Sequence, residues 1–234
     1  MIQYGIIGAM DEEVEILKQE MEIHLEKNIA GLHFYQGILA NKSIVLVKSG
    51  IGKVNAAICT QILISEFRVE GIINTGVAGA IAEDLNILDI VVSTELQQYD
   101  VDAREFGYKL GEIPRMPTSI FPAKPDLINK AYKRGIARFG KGAVKKGKIV
   151  SGDTFVSSPE MKIRLEKEFG AMCTEMEGAS IAQACYMNRI PFVVIRTMSD
   201  KADGSANDNY KNFVGKAAFR SKELVKDILL EEAL

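Results

Sequence analysis

Pro191-Phe192-Val193-Val194-Ile195-Arg196-Thr197-Met198-Ser199-Asp200 is the stretch on which the fold turns. Its β-branched run has the length and composition of a strand, and it ends in three polar residues: Arg196, Ser199 and Asp200. In an open α/β sheet that edge is where ligands bind. Just upstream, Cys173-Thr174-Glu175-Met176-Glu177-Gly178-Ala179-Ser180 sets two acidic residues ahead of a small-residue helix.

Working outward, the chain alternates strand and helix. Tyr4 to Gly8 reads as a buried first strand and Asp11 to Glu22 as a helix with Val14, Leu17 and Met21 on one side. Asp11, Glu12 and Glu13 fall in its first turn, where the helix dipole favours negative charge. Phe34 to Leu39 and Ser43 to Lys48 are extended runs joined by a short turn, so the sheet is expected to contain antiparallel pairs. Lys53 to about Phe67 is a helix and Gly71 to Thr75 a strand. Gly76-Val77-Ala78-Gly79 then reads as a short loop, whose small residues either let backbone N–H groups approach a ligand or simply form a tight turn.

Leu88 to Ser93 is the next strand, and Gln97 to Pro122 is irregular, with Phe106 and Tyr108 among its residues. A connection of that length marks a lid, a ligand loop or an interface segment. Lys124 to Phe139 is an amphipathic helix, Gly140 to Lys148 a basic solvated turn, and Lys148 to Ser151 the start of a strand running into Gly152-Asp153-Thr154-Phe155. Ser158-Pro159-Glu160 is a helix start, with a capping hydroxyl and a first-turn proline. A final helix runs from near Asp208 to Leu230. The expected fold is one α/β domain over residues 1–234, three α/β/α layers around a central mixed, twisted sheet.

Composition narrows the function. With 47% hydrophobic and 26% charged residues and a formal charge of -2, the chain offers no electrostatic reason to bind nucleic acid or an anionic membrane. Met1 to Met10 lacks the basic leader of a secretory signal, and no apolar run is long enough to span a bilayer. Cys59, Cys173 and Cys185 lack metal-ligand spacing and suit reduced thiols in a cytoplasmic core. His24 and His33 are the only histidines, which argues against a histidine zinc site or a Ser-His-Asp triad. Acid and base work therefore falls to carboxylates.

Glu13 and Asp200 each follow a predicted strand, as do Phe155 and the Val77 to Gly79 backbone, and Glu177 opens a predicted helix, so the topology can gather them at one sheet edge. Such a set suits cleavage of a glycosidic bond to a nucleobase: one carboxyl protonates the departing base, one activates water, and one accepts sugar hydroxyls. Taken singly, Glu13 is equally a helix N-terminal charge, Glu177 a helix cap and Asp200 a turn former.

Six motifs resemble those of the 5′-methylthioadenosine/S-adenosylhomocysteine nucleosidases, in the purine nucleoside and uridine phosphorylase superfamily. They are Ile6 to Val14, Lys48 to Ala56, Asn74 to Gly79, Ser151 to Phe155, Glu175 to Ala179 and Ile195 to Asp200, in the family's order. The resemblance implies a phosphorylase/hydrolase-like fold and hydrolysis of methylthioadenosine, S-adenosylhomocysteine and 5′-deoxyadenosine without metal or organic cofactor. It implies that Glu13 activates water beside Met10, and that Asp200, oriented by Ser199, protonates adenine N7. Glu177 and Met176 would hold the ribose, with Glu175 beside them in a structural role and Ala78 and Gly79 offering backbone groups. Phe155 would stack on adenine, the Val156 backbone would read its polar edge, and Ile51 and Tyr210 would line the pocket. It further implies a homodimer in which Ala103, Phe106 and Tyr108 complete the neighbouring subunit's site.

Two positions depart from that pattern. Val77 stands in place of a serine, removing a hydroxyl, and Ala103 in place of a larger valine. Two rivals stay open: a phosphorolytic nucleosidase, which Arg196 would serve as a phosphate partner, and a non-catalytic adenosine-binding module. Against the first, Arg196 is expected to hold Glu13 or Glu177.

Overall fold

A computed structural model describes residues 3–230; Met1 and Ile2, the start of the apolar opening run, and residues 231–234 lie outside the described residues. The first half comprises β1 (Tyr4–Gly8), α1 (Asp11–Gln19), β2 (Glu22–Ile29), β3 (Leu32–Leu39), β4 (Lys42–Lys48), α2 (Lys53–Ser65) and β5 (Gly71–Ala80). It continues with β6 (Ile90–Gln98), β7 (Ile120–Pro122), α3 (Pro125–Phe139), β8 (Val144–Ser151) and α4 (Pro159–Phe169). Last come β9 (Cys173–Glu175), α5 (Gly178–Asn188), β10 (Phe192–Asp200) and α6 (Ala206–Leu229).

All these strands join one mixed sheet. β1 runs parallel to β4 and β5, β10 parallel to β5 but antiparallel to β6, and β2, β3 and β4 form an antiparallel wing. The pairings β5 to β10, β10 to β6, β6 to β8, β8 to β9 and β9 to β5 close on themselves, so part of the sheet is a ring. Strand alternation builds the two outer layers. Ile6, Ile73, Val193 and Ile195 pack with Val14, Leu17, Leu224 and Ile228 from α1 and α6. Ile7, Ile72 and Val194 pack with Cys59, Leu63, Ala182 and Cys185 from α2 and α5. Each such fully buried aliphatic side chain contributes about 2 kcal/mol of transfer free energy.

Three sequence expectations are corrected. The helix from Asp11 stops at Gln19, because Glu22 opens β2, a largely exposed edge strand. The Gly76 to Gly79 stretch is no loop but the buried second half of β5. In the basic stretch before Ser151, β8 already begins at Val144, and it ends at Ser151, leaving Gly152 to Phe155 as a bend. The Gln97 to Pro122 segment holds only the end of β6, a single 3-10 turn and β7. Cys59, Cys173 and Cys185 are buried and unpaired. Among the described residues no helix is long and apolar enough to cross a membrane.

Candidate active site

A cavity of about 430 Å3 opens at the carboxyl ends of β1, β5 and β10. One wall starts where β1 turns into α1. Glu13, in the first turn of that helix, folds back so that its Oε2 accepts from the N–H of Ala9 (2.6 Å) and of Met10 (3.3 Å). Its Oε1 accepts from the N–H of Val77 on β5 (3.0 Å). The helix-terminus and site readings of Glu13 are thus both true of one carboxylate. Burial pushes its carboxyl above the usual range, against the opposing pull of Arg196 and the three backbone donors. Gly76 makes the arrangement possible, since a Cβ there would lie 2.2 Å from Arg196 Nη1 and 2.3 Å from Glu13 Oε1.

The opposite wall comes from β10, whose pairing with β5 shifts register between Met198 and Asp200. Such an irregularity re-aims a side chain at a strand end. Asp200 Oδ1 accepts from the N–H of Ala202 (2.8 Å) and Oδ2 from the Ser199 hydroxyl (2.9 Å), so Asp200 also forms the turn that its sequence context implied. Burial raises its carboxyl as well. A Cβ on Gly79 would stand 2.8 Å from Asp200 Oδ1. Glu13 is anchored at Val77 and Asp200 faces Gly79, two residues on along the same strand, so both carboxyls meet one short stretch of β5.

Glu177 occupies the N-cap position of α5 without capping it. Its Oε1 instead accepts from the N–H of Gly52 (2.9 Å), which a positive φ of 99° turns toward the cavity, and its Oε2 lies 3.6 Å from Arg196 Nη2. Burial, reinforced by the charge of Glu175, pushes Glu177 up to about 8. The capping task falls to Glu175. Its Oε2 accepts from the N–H of Glu177 (3.0 Å) and Gly178 (2.7 Å) and from Arg196, while its Oε1 accepts from the Ser151 hydroxyl. Ser151 Oγ in turn accepts from the N–H of Ala179 (2.7 Å). Arg196 itself is wholly buried behind the cavity and is not one of its lining residues, contrary to its expected place as a binding group. Its nearest partners are Glu175 and Asn74 (2.7 Å), and Glu177 is the more distant one.

Phe155 is half-exposed at the mouth and meets the Tyr210 ring edge-on, 5.8 Å between centroids. Tyr210 Oη donates to Met10 Sδ (3.1 Å). Ile51, Val77, Ala78, Gly79, Val156, Met176, Ser199 and Glu175 complete the expected lining. Ala103 is buried, Tyr108 partly so and Phe106 is 83% exposed, and none of the three lines this cavity. Ala9, Thr154, Thr174 and Asn207 line it too, unforeseen. The first three adjoin residues already singled out, and Asn207 lies three positions before Tyr210, on the same helix face. Among the described residues no cluster of three or more His, Cys, Asp or Glu could hold a metal ion.

Residues 3–230 match the phosphorylase superfamily. The chain is 45% identical over 226 residues to the 5′-methylthioadenosine/S-adenosylhomocysteine nucleosidase of Staphylococcus aureus (strain JH9), covering 96% of this chain and 98% of the relative. It superposes with a TM-score of 0.92 on the nucleosidase of the same name from Neisseria meningitidis, solved with methylthio-immucillin-A, at 41% identity over 97% of this chain and 98% of that one. An S-adenosylhomocysteine nucleosidase from Streptococcus pyogenes, solved with 5-methylthiotubericidin, gives 0.93 at 34% identity, covering 100% and 98%.

Proposed function

The chain belongs to the phosphorylase superfamily and, within it, to the 5′-methylthioadenosine/S-adenosylhomocysteine nucleosidases, and from that premise we propose how its cavity works. The enzyme hydrolyses the N-glycosidic bond of methylthioadenosine and S-adenosylhomocysteine, releasing adenine and the 5-substituted ribose. We extend this to 5′-deoxyadenosine, and take the whole chain as one nucleosidase domain.

In the proposed reaction the bond from C1′ to N9 breaks as one from C1′ to a water oxygen forms. Glu13 takes the proton that water loses, and Asp200 gives its proton to adenine N7. The observation that carries this reading is the pair of buried carboxyls, Glu13 and Asp200, which line one cavity and meet the same strand at Val77 and Gly79. Burial raises the Asp200 carboxyl and so favours the protonated form that an acid requires. Glu177 would accept the ribose hydroxyls over Met176, while Phe155 stacks on adenine, the Val156 backbone meets its polar edge and Ser199 orients Asp200. Ile51 and Tyr210 close the mouth.

Water rather than phosphate is favoured as nucleophile because an anion would face Glu13, while Arg196 is already engaged by Glu175 and Asn74. Two copies of the chain would associate so that Ala103, Phe106 and Tyr108 of one meet the 5′ substituent in the other.

The test is the pair Asp200→Asn and Glu13→Gln. Each keeps shape while removing the transferable proton or the base, and each is expected to lower kcat about 1000-fold with ligand binding retained. Turnover near wild type in either would overturn that residue's role.

A further inference from the structure

Arg196 is a full positive charge buried among three carboxylates: Glu175 in direct contact, Glu177 at 3.6 Å, and Glu13 close enough that both face Gly76. Glu175 also lines the cavity, but its oxygens are already committed to Arg196, Ser151 and the first N–H groups of α5. We propose that Glu175 is a positioning residue for the hydrolysis, which holds the charge of Arg196 on itself and so keeps that guanidinium from neutralising Glu13 and Glu177.

The inference rests on the hydrolytic reading above. As the glycosidic bond breaks, the ribose gains positive charge, and the carboxylates facing it stabilise that charge only while they remain unneutralised. A guanidinium midway between two working carboxylates would cancel much of their field and weaken Glu13 as a base. Here its Nη2 hydrogens go to Glu175 and Asn74, and the Asn74 amide is held in turn by the carbonyl of Ile7 (2.9 Å). Arg196 is thereby fixed by partners other than Glu13 and Glu177. The other titratable groups near this cluster are Cys173 on β9, Tyr99 beyond β6, and Tyr210 and Asp200 across the cavity. None of these is a cation, so Arg196 is the charge that decides the balance.

Glu175→Gln keeps an acceptor oxygen but removes the charge. Arg196 then acts on Glu13 and Glu177, so kcat should fall about tenfold or more with KM changed little, and the acid limb of kcat/KM should move to lower pH by about one unit. The double variant Glu175→Gln/Arg196→Met removes donor and acceptor of the charge together and should recover at least half of the logarithmic loss, with the acid limb back at the wild-type position. A purely structural Glu175 predicts the reverse: an unmoved acid limb in the single variant, or a double variant no faster than the single. Should the single variant not fold, the double variant alone decides, since a lowered acid limb there overturns the proposal and a wild-type limb supports it. Wild-type protein that releases no adenine from methylthioadenosine would instead defeat the hydrolytic reading itself, so the two failures are distinguishable.

Discussion

Glu177 shows at the scale of one residue how the site is poised. Its carboxyl moves from an ordinary 4.5 to about 8, through burial first and the charge of Glu175 second. Between those values the folded protein keeps a proton that the unfolded chain releases, so the group's contribution to stability declines as pH rises through that window. The thermal midpoint of the ligand-free protein should therefore fall between about pH 5 and about pH 8. Glu177→Gln, neutral at every pH, should flatten part of that fall and melt several degrees higher than wild type at about pH 8. Equal slopes in the two proteins would contradict the assignment. The residue types of Glu13, Glu177 and Asp200 already pointed to carboxylate chemistry. Residue type alone does not separate Glu175 from Glu177, two acids two positions apart; the family resemblance is what distinguished them. Both line the cavity; at the end of β9 Glu175 is tied to Arg196, Ser151 and the α5 N–H groups, while Glu177 at the start of α5 is held by Gly52.

At the scale of elements, α2 is tied to the bend that carries Phe155. Lys53 Nζ donates to Asp100 (2.6 Å) and Gln98 (3.0 Å), its N–H donates to Asp153 (2.8 Å), and the Asp153 N–H donates to Asp100 (3.0 Å). Gly52, which holds Glu177, is the preceding residue. The network therefore sets the Glu177 wall and the Phe155 wall relative to each other. Lys53→Met should raise KM several-fold with kcat within about twofold of wild type, because ground-state and transition-state binding are loosened alike. A fall in kcat at constant KM would show that the network acts on the chemistry instead. The α-helices and central strands were legible from their periodicity, and the Ser158 cap is made as its sequence implied, with Met161 N–H donating at 3.1 Å. β2 was not, because Glu22 to Ile29 is a mostly exposed edge strand whose apolar alternation is confined to Ile23 and Leu25. The second half of β5 was taken for a loop since its small residues look like turn formers. They are small because Glu13, Arg196 and Asp200 crowd the strand from its sides.

The whole molecule converts sequence distance into proximity: Glu13 and Asp200 come from opposite ends of the chain and meet across β5. The α/β alternation that predicts such a meeting was visible in the sequence. The closure of β5, β10, β6, β8 and β9 into a ring was not, because it depends on pairings between strands far apart in the chain. Phe106, Val54 and Met187 leave large apolar side chains at the surface (83%, 69% and 68% exposed), which suits association of two copies. Sedimentation at assay concentration should find a dimer, and a fully active monomer would contradict the shared-site proposal. The central claim, that water is the nucleophile, is tested most directly by turnover of methylthioadenosine in phosphate-free buffer made with 18O-labelled water. The account predicts stoichiometric adenine and methylthioribose carrying one 18O at its anomeric carbon. No adenine until phosphate is added, with the sugar then recovered as its 1-phosphate, would contradict it.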